Sequence, residues 1–404
     1  MKDVGVLRVS ESVLWTGCLD RDLVTFDVVM ETKYGTTYNS YFIDADKKVL
    51  IETVKESFWP EYERKIRSLV DPADIQYVVL NHTEPDHSGC VGRLLEIAPN
   101  AVIVGTGNAI RYLHDMTPVS FKSIQVKDGD EISLGNKTLR FISAPNLHWP
   151  DSMYSYLVED QVLFTCDSFG AHYADERMFD DLVDNWDDSF KYYFDVILKP
   201  FSKFMLRAID RIRPLDIRVI APGHGPILRS SWEKYVELSE KYSREAIEFP
   251  QKLRVYIPYV SAYHNTGVLA EAIARGLKSK PGIEVVLEDI EHTNLGDIDM
   301  QLAMASGIIV GCPTINQNIL LPVYRLFAVI NPLRDRGKLA GGFGSYGWSG
   351  EGMKMIRTNL ENLKLHYTDD DVFVKFAPHD TDIEKAFAYG EHFAEMLIQK
   401  ANEG

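Results

Sequence analysis

Four potential metal ligands lie within six residues of one short segment of this chain. Residues 81–89 read Asn-His-Thr-Glu-Pro-Asp-His-Ser-Gly and directly follow the apolar run 75–80, which predicts a buried strand. A turn at the end of such a strand can hold several side chains at fixed positions on a rigid scaffold. Two imidazoles and two carboxylates need partners there, because unpaired they would repel one another and lose hydration. The segment therefore predicts half of a two-metal site.

Three further potential ligands follow short apolar runs elsewhere in the chain. His148 comes after residues 139–142, Asp167 directly after 162–166, and His224 after 217–220. Imidazole and carboxylate ligands suit iron, manganese or zinc, and the sequence has no thiolate cluster typical of an iron–sulfur or structural zinc site. The candidate metal ligands are His82, Glu84, Asp86, His87, His148, Asp167 and His224.

The order His-x-Glu-x-Asp-His, followed by separate His, Asp and His, resembles that of the metallo-β-lactamase fold. Hydrolases of that fold have histidine where this chain has Glu84. A glutamate at that position is similar to the flavodiiron proteins, which hold two irons. The resemblance implies iron in preference to zinc, with one iron-binding set, a second set and a bridging carboxylate: His82, Glu84 and His148; Asp86, His87 and His224; and Asp167.

Length and pattern predict two domains. A chain of 404 residues exceeds the usual size of a single core. Residues 231–249 have helical composition and end at Pro250, and a new apolar strand begins at 253. We therefore expect an α/β protein of two domains: residues 1–250, for which the resemblance implies a metallo-β-lactamase-like αββα sandwich, followed by residues 251–404, with a flavodoxin-like doubly wound parallel sheet.

The second half alternates between predicted strands and helices, which is typical of a doubly wound sheet. The expected strands are 253–259, 283–287, 308–311, 339–343 and 372–376, and the expected helices are 268–277, 298–305, 319–330, 353–363 and 383–401.

Three loops after these strands predict a flavin site. Residues 261–267 resemble the flavodoxin phosphate loop, although that family more often has glycine at His264; the same residues are also typical of an ordinary helix cap. Loops 312–318 and 344–350 follow later strands at the same sheet edge, where ligands of such sheets bind. The cofactor implied is FMN, and the expected contacts are Ser261, Ala262, Tyr263, His264, Asn265, Thr266, Pro313, Thr314, Ile315, Asn316, Ser345, Tyr346, Gly347, Trp348, Ser349 and Gly350.

Together the two halves resemble flavodiiron proteins over essentially the whole chain. That family links FMN to a diiron centre that reduces dioxygen to water or nitric oxide to nitrous oxide. In the run 81–87 the chain resembles the methanogen branch, which implies an F420H2 oxidase with reduced coenzyme F420 as electron donor, received by basic residues such as Arg229, Lys252 and Arg254. The resemblance also implies a head-to-tail homodimer or a homotetramer. The alternatives are a nitric oxide reductase with a protein donor such as rubredoxin, a metallohydrolase, and an electron carrier that uses FMN alone.

Residues after Asp167 form a second candidate feature of the metal site. Gly170 and Ala171 are small, and His172 and Tyr173 follow them. Our hypothesis is that these two side chains lie near the diiron pocket and influence dioxygen access or proton delivery. Alternatively, both are ordinary packing residues of a loop.

Composition excludes several partners. The formal net charge of −16 disfavours nucleic acid, which requires basic stripes. No apolar run has the length of a membrane span, and the N-terminus lacks the apolar core of a signal peptide, so we expect a cytoplasmic protein. The four cysteines are single and scattered, which indicates small buried residues and no rubredoxin centre.

Overall fold

The structure is a computed structural model that describes residues 5–26, 30–248 and 253–403. The chain divides into two compact units. Unit 1 comprises residues 1–24 and 32–248, and unit 2 comprises residues 25–31 and 249–404. The expected division at residue 250 lies outside the described residues. The placement of residues 25–31 in the second unit was not predicted from the sequence.

Sixteen strands are described before residue 249. They are β1 Leu7–Arg8, β2 Val13–Trp15, β3 Cys18–Asp20, β4 Thr25–Phe26, β5 Met30–Glu31, β6 Thr36–Tyr38, β7 Tyr41–Ile43, β8 Lys48–Ile51, β9 Ile75–Val79, β10 Val102–Gly105, β11 Lys122–Gln125, β12 Glu131–Ser133, β13 Thr138–Ser143, β14 Met153–Leu157, β15 Val162–Cys166 and β16 Val219–Pro222. The α-helices of the same region are α1 Trp59–Leu69, α2 Pro85–Ser88, α3 Val91–Ile97, α4 Gly107–Met116, α5 Asp187–Tyr193, α6 Ser202–Ile212 and α7 Trp232–Glu248, and one turn of π-helix covers Phe194–Leu198.

Two sheets form the centre of unit 1. One has the order β1-β2-β7-β8-β9-β10-β11 and the other the order β12-β13-β14-β15-β16. Their facing side chains share one core, in which Val49 and Val104 of the first sheet join Phe141 and Phe164 of the second. A second core lies between the other face of β13–β16 and helices α5–α7. This layered arrangement confirms the expected sandwich, and the loops after β9, β13, β15 and β16 carry all seven candidate metal ligands.

Unit 2 has a parallel sheet with helices on both faces. Its strands β17 Leu253–Tyr259, β18 Ile283–Asp289, β19 Gly307–Gly311 and β20 Leu339–Tyr346 have the order β18-β17-β19-β20, and both β21 His366–Tyr367 and β22 Val372–Lys375 pair with β20. One core packs against α9 Leu295–Met304, α10 Leu321–Val329 and α11 Glu351–Asn362; the other packs against α8 Asn265–Lys278 and α12 Asp380–Glu403. The expected flavodoxin-like sheet is confirmed, and strand β21 was missed because two residues carry no periodicity.

The hairpin of β4 and β5 belongs to unit 2, although it lies early in the chain. Thr25 pairs with Glu31 and Phe26 with Met30, and β5 contacts α9. Residues 27–29 between the two strands lie outside the described residues. Strands of two residues are too short for a sequence pattern to predict.

Candidate metal and flavin sites

The seven candidate ligands lie together in unit 1, and five of them are buried. His82, Asp86 and His87 come from the segment after β9, while Asp167 and His224 directly follow β15 and the end of β16. Glu84 and His148 are partly buried, at the more open side of the group. These seven residues are called the histidine–carboxylate cluster below.

One set of nitrogen and oxygen atoms surrounds Glu84. Its Oε2 lies 3.1 Å from Nε2 of His82 and 3.0 Å from Nε2 of His148. The same two nitrogens lie 3.6 and 3.5 Å from Oδ2 of Asp167. Two imidazoles and two carboxylates thus point at one small volume, and their ligand atoms all lie within 4.8 Å of one another.

A second set forms around Asp86. Oδ2 of Asp86 lies 3.1 Å from Nε2 of His224 and 3.5 Å from Nε2 of His87. Oδ1 of Asp167 lies 3.1 Å from Nε2 of His87 and 3.5 Å from Nε2 of His224. Asp167 therefore presents one oxygen to each set, which is the arrangement that a carboxylate bridging two metal ions requires.

The charges of the cluster favour cations. Burial by itself lowers the pKa of His82, but its hydrogen bonds to Asp151 and Glu84 outweigh burial and raise that pKa well above the usual range. Burial also lowers the pKa of His87, but the carboxylates of Asp86 and Asp167 outweigh burial and raise that pKa to about 10. Burial raises the pKa of Asp167, but the neighbouring imidazoles outweigh burial and hold that pKa well below the usual range. Asp167 therefore stays ionised and attracts positive charge into the cluster.

The donor set fits two iron ions. Both oxygens of Asp86 and Oδ2 of Asp167 are buried and make no hydrogen bond within the described residues. Buried carboxylate oxygens without a donor are costly unless a metal ion uses them. Three or four nitrogen and oxygen ligands per set, with no thiolate among the seven residues, suit iron at both positions.

Several supporting residues were missed by the sequence argument. Asp151, fully buried, has both carboxylate oxygens 3.3 Å from Nδ1 of His82 and accepts hydrogen bonds from the amide and hydroxyl of Thr83. Nδ1 of His224 lies 2.6 Å from the carbonyl oxygen of Thr37. Such partners orient ligating imidazoles. Asp151 follows His148 by three residues, which is the only sequence signal that could have indicated it.

The structure separates the two residues suggested as a gate. His172 is buried beside the cluster, with its ring centroid 5.2 Å from that of His224 and its Nδ1 2.8 Å from the hydroxyl of Thr36. Burial, assisted by His224, lowers the pKa of His172 well below its usual value. Tyr173 packs against Tyr34 instead, with the ring centroids 5.2 Å apart.

Tyr193 is the tyrosine that the sequence argument missed. Its ring lies 4.9 Å from that of His172 and 6.2 Å from that of His224, and the residue is buried. It ends α5, where the helix widens into the π-helical turn Phe194–Leu198. Turns of π-helix occur frequently at functional sites.

In unit 2 the three predicted flavin loops are joined by hydrogen bonds. The hydroxyl oxygens of Thr266 and Ser345 lie 3.2 Å apart, and the amide of Thr314 donates to the carbonyl oxygen of Ser345 at 2.8 Å. The amide of Gly352 donates to the hydroxyl of Thr314 at 3.2 Å. The loops therefore meet at the carboxyl edge of the sheet, as the sequence argument expected.

The flavin loops combine strained backbone with exposed rings. His264, Asn316 and Gln317 have positive φ angles of 63°, 54° and 59°. His264 precedes α8, whose first amides face the loop and suit a phosphate. Tyr263 and Trp348 are 81% and 85% exposed, so both present ring faces that a flavin can cover. Hydroxyls, a helix N-terminus and open aromatic faces fit FMN.

The basic residues suggested for the donor already have acidic partners. The guanidinium of Arg229 pairs with Asp181 at 2.9 Å, and that of Arg254 pairs with Glu284 at 3.2 Å. Lys252 lies outside the described residues. An acidic coenzyme would have to compete with these carboxylates.

Comparisons with known proteins agree with this architecture. Residues 36–225 match the model of the ODP family beta lactamase, and residues 257–390 match that of flavodoxin. The flavo-diiron protein FprA2 of Clostridium acetobutylicum is 38% identical over 97% of this chain and 99% of its own. A nitric oxide reductase of Moorella thermoacetica is 34% identical over 97% of this chain and 98% of its own. The structure of rubredoxin oxygen:oxidoreductase from Desulfovibrio gigas superposes with a TM-score of 0.77 and 28% identity, covering 98% of this chain and 99% of that one.

Fold and site thus define an oxidoreductase in which a metallo-β-lactamase-like unit precedes a flavodoxin-like unit. The chain belongs to the flavodiiron protein family, also called the A-type flavoproteins. Proteins of this family carry FMN and a diiron centre, reduce dioxygen or nitric oxide, and are typically oligomeric. Among the described helices, none has both the length and the apolar character needed to cross a membrane.

Proposed function

We propose that this protein is an oxygen-reducing flavodiiron enzyme that turns dioxygen into water, with reduced coenzyme F420 as its electron donor. The observation that carries the proposal is the position of Asp167, whose two carboxylate oxygens face separate sets of histidines 3.1 to 3.6 Å away. Glu84 completes the set around His82 and His148. The proposed iron ligands are the two sets and the bridging carboxylate that the resemblance implied. As part of the same proposal, the protein acts in the cytoplasm and is a homodimer or a homotetramer.

The cofactors would occupy the two sites described above. FMN supplies acceptance of two electrons and their release one at a time, and iron supplies a change of valence and binding of the gas. The loops around Tyr263, Thr314 and Trp348 would hold the flavin. The histidine–carboxylate cluster would hold both irons, and a zinc pair in the same ligands could act only as a Lewis acid.

The protein's own groups supply the surroundings of the reaction. His172 is neutral, because its pKa is well below the usual value, and its Nδ1 faces the hydroxyl of Thr36. A neutral imidazole beside the second set can accept a proton at one nitrogen and donate one at the other. The buried rings of His172 and Tyr193 exclude bulk water from that side. Tyr173 would act on the site only through its neighbour in the chain.

Support for coenzyme F420 comes from the resemblance of residues 81–87 to the methanogen branch. The second candidate is a nitric oxide reductase that takes electrons from a separate protein such as rubredoxin. It is favoured by the similarity to the Moorella thermoacetica nitric oxide reductase and to the Desulfovibrio gigas enzyme, whose name contains rubredoxin. A metallohydrolase is disfavoured by Glu84. A carrier with FMN alone would leave Oδ1 of Asp86, which is buried and makes no hydrogen bond within the described residues, without a cation.

One experiment separates these functions. The protein is purified without air, iron and FMN are measured per chain, and gas consumption is followed with reduced coenzyme F420 or reduced rubredoxin as the only donor. We expect about two irons and one FMN per chain, and rapid uptake of dioxygen with reduced coenzyme F420 as the electron donor. The same cofactors with turnover only from rubredoxin, or only with nitric oxide, would replace the proposal by the second candidate. Absence of iron would remove both.

A further inference from the structure

The two ring nitrogens of His87 have unequal surroundings. Nε2 faces the cluster, 3.1 Å from Oδ1 of Asp167 and 3.5 Å from Oδ2 of Asp86. Nδ1 is buried and makes no hydrogen bond within the described residues. An imidazole N–H that is buried without an acceptor destabilises the folded state, so this atom requires an explanation.

Other histidines of the cluster indicate what is expected at that position. Nδ1 of His82 faces the Asp151 carboxylate, and Nδ1 of His224 faces the carbonyl oxygen of Thr37. Metal-ligating histidines almost always donate the other ring N–H to such an acceptor, which selects the tautomer and the ring orientation. His87 should therefore have an acceptor as well.

Glu52 lies where that acceptor is needed. One of its carboxylate oxygens, a ring nitrogen of His87 and Sγ of Cys166 all lie within 4.8 Å of one another, and all three residues are buried. Oε1 of Glu52 accepts a hydrogen bond from the amide of Asn81 at 2.8 Å. Oε2 is buried and makes no hydrogen bond within the described residues. A buried donor and a buried acceptor, both unpartnered, thus occur side by side.

The backbone around Glu52 is arranged to hold it there. Its φ of 59° is left-handed, a conformation that non-glycine residues adopt only when their surroundings enforce it. The carbonyl oxygen of Glu52 accepts hydrogen bonds from the hydroxyls of Ser40 at 2.9 Å and Tyr62 at 3.2 Å.

The next residue is bonded to the same histidine. The amide and hydroxyl of Thr53 donate to the carbonyl oxygen of His87 at 2.7 and 2.6 Å. The turn after β8 therefore holds the backbone of His87 and also places a carboxylate near its ring.

We propose that Glu52 is a positioning residue for His87. Its Oε2 accepts a hydrogen bond from Nδ1–H of His87, directly or through one water molecule, so that Nε2 carries the lone pair that faces the second metal position. That hydrogen bond also strengthens His87 as a ligand. This inference rests on the proposed role of His87 as an iron ligand, and it assigns Glu52 no contact with the iron or the gas.

The test uses Glu52→Gln, which keeps the side-chain volume and the oxygen that accepts from Asn81 but replaces the other oxygen by an N–H donor. Metal-depleted full-length protein is titrated with Fe²⁺ without air. We expect the first equivalent to bind as in the unaltered protein and the second to bind about 10- to 100-fold more weakly. The reduction potential of the iron site should rise, because the hydrogen bond that strengthens the His87 imidazole as a ligand is lost; a merely structural role would leave it unchanged.

Two matched variants complete the design. Asp160→Asn removes another buried carboxylate of unit 1, one that pairs with Lys137 at 2.7 Å, and should leave both metal affinities unchanged. Glu52→Asp keeps a carboxyl acceptor and should restore the reduction potential, and it replaces Glu52→Gln as the decisive variant if the latter does not fold. Unchanged binding of both equivalents and an unchanged potential in Glu52→Gln would overturn the proposal. The proposal would also be overturned if the unaltered protein bound three equivalents of Fe²⁺ and Glu52→Gln bound only two. Glu52, His87 and Cys166 would then be a metal site themselves.

Failure of this inference differs from failure of the proposed function. An unaltered protein that binds two irons without reducing dioxygen refutes only the function, and the comparison between Glu52→Gln and Asp160→Asn still decides the role of Glu52.

Discussion

Each unit of the molecule contains a group of buried charges, and the two groups are satisfied in different ways. In unit 2, Arg334 pairs with Asp299 and Asp335, both at 2.9 Å, and Lys338 pairs with Asp335 at 2.8 Å. Two cations and two carboxylates neutralise one another. In unit 1 the histidine–carboxylate cluster leaves both oxygens of Asp86 and Oδ2 of Asp167 without hydrogen bonds.

This difference distinguishes a structural charge group from a binding site. A buried ion network that satisfies its own members needs no further partner, whereas unpartnered carboxylate oxygens beside imidazoles need a cation. Residue types alone do not separate the two cases, because both groups contain carboxylates next to basic nitrogen atoms. The pattern of unused atoms separates them.

The largest expected effect comes from removing the central carboxylate of unit 1. Asp167→Asn should retain at most about half of its iron and lose nearly all oxygen reduction, because one residue faces all four imidazoles of the cluster. FMN content should not change. Metal and flavin analysis of the purified variant checks this, with Asp160→Asn as control. Full iron content in Asp167→Asn would show that the carboxylate does not bridge.

The matching change in unit 2 should affect stability and leave iron unchanged. Burial alone would raise the pKa of Asp335, but the hydrogen bond from Arg334 and the charge of Lys338 outweigh it and lower that pKa. Asp335→Asn should reduce the free energy of unfolding by about 3–5 kcal/mol at neutral pH, because it leaves two buried cations undercompensated.

The pH dependence of that loss follows from the direction of the shift. The lowered pKa of Asp335 contributes stability that is present above the unfolded value of about 3.9 and is lost as the pH falls through the folded value. The stabilities of the unaltered protein and of Asp335→Asn should therefore converge in acid. Urea unfolding at several pH values measures the gap, and a gap that widens in acid would contradict the argument.

A smaller effect is expected from the glycine that contacts a cluster histidine. A Cβ added at Gly223 would lie 2.7 Å from Cε1 of His87 and 3.1 Å from the carbonyl carbon of Cys166. Gly223→Ala should displace the imidazole of His87 and lower the affinity for the second iron by about tenfold. Gly267→Ala, whose added Cβ has its nearest neighbour at 3.6 Å, is the control. Equal iron affinity in the two variants would show that His87 tolerates the displacement.

The smallest effect is expected at the open flavin loops. Trp348→Ala should weaken FMN binding by about 2- to 10-fold and leave the iron content unchanged, because one exposed aromatic face contributes about 0.5–1.5 kcal/mol beyond its area. Leu333→Ala removes another side chain of unit 2 that is 87% exposed and serves as control. Fluorescence titration of the flavin-free protein with FMN gives both affinities. A loss as large for Leu333→Ala would indicate a general change in unit 2.

Local patterns determined much of this protein in advance. The strand β15 and the strand β17 have the bounds that their apolar runs predicted, since continuous apolar residues between polar turns are typical of buried strands. The cluster could be predicted because its ligands follow apolar runs that form strands of the two sheets of unit 1. The doubly wound parallel sheet of unit 2 was predicted from the alternation of strands and helices, whereas its strand order comes from the structure.

Only the tertiary structure decided which residues support those ligands. Glu52 and Asp151 lie far along the chain from the histidines that they approach, and sequence spacing alone does not pair them with those histidines. Tyr193, not Tyr173, lies beside His172 because α5 ends against the cluster. The hairpin Thr25–Glu31 groups with unit 2 although it lies within the sequence of unit 1. Ligands are encoded by local pattern, whereas their supporting partners arise from contacts between distant segments, which depend on how whole sheets and helices pack.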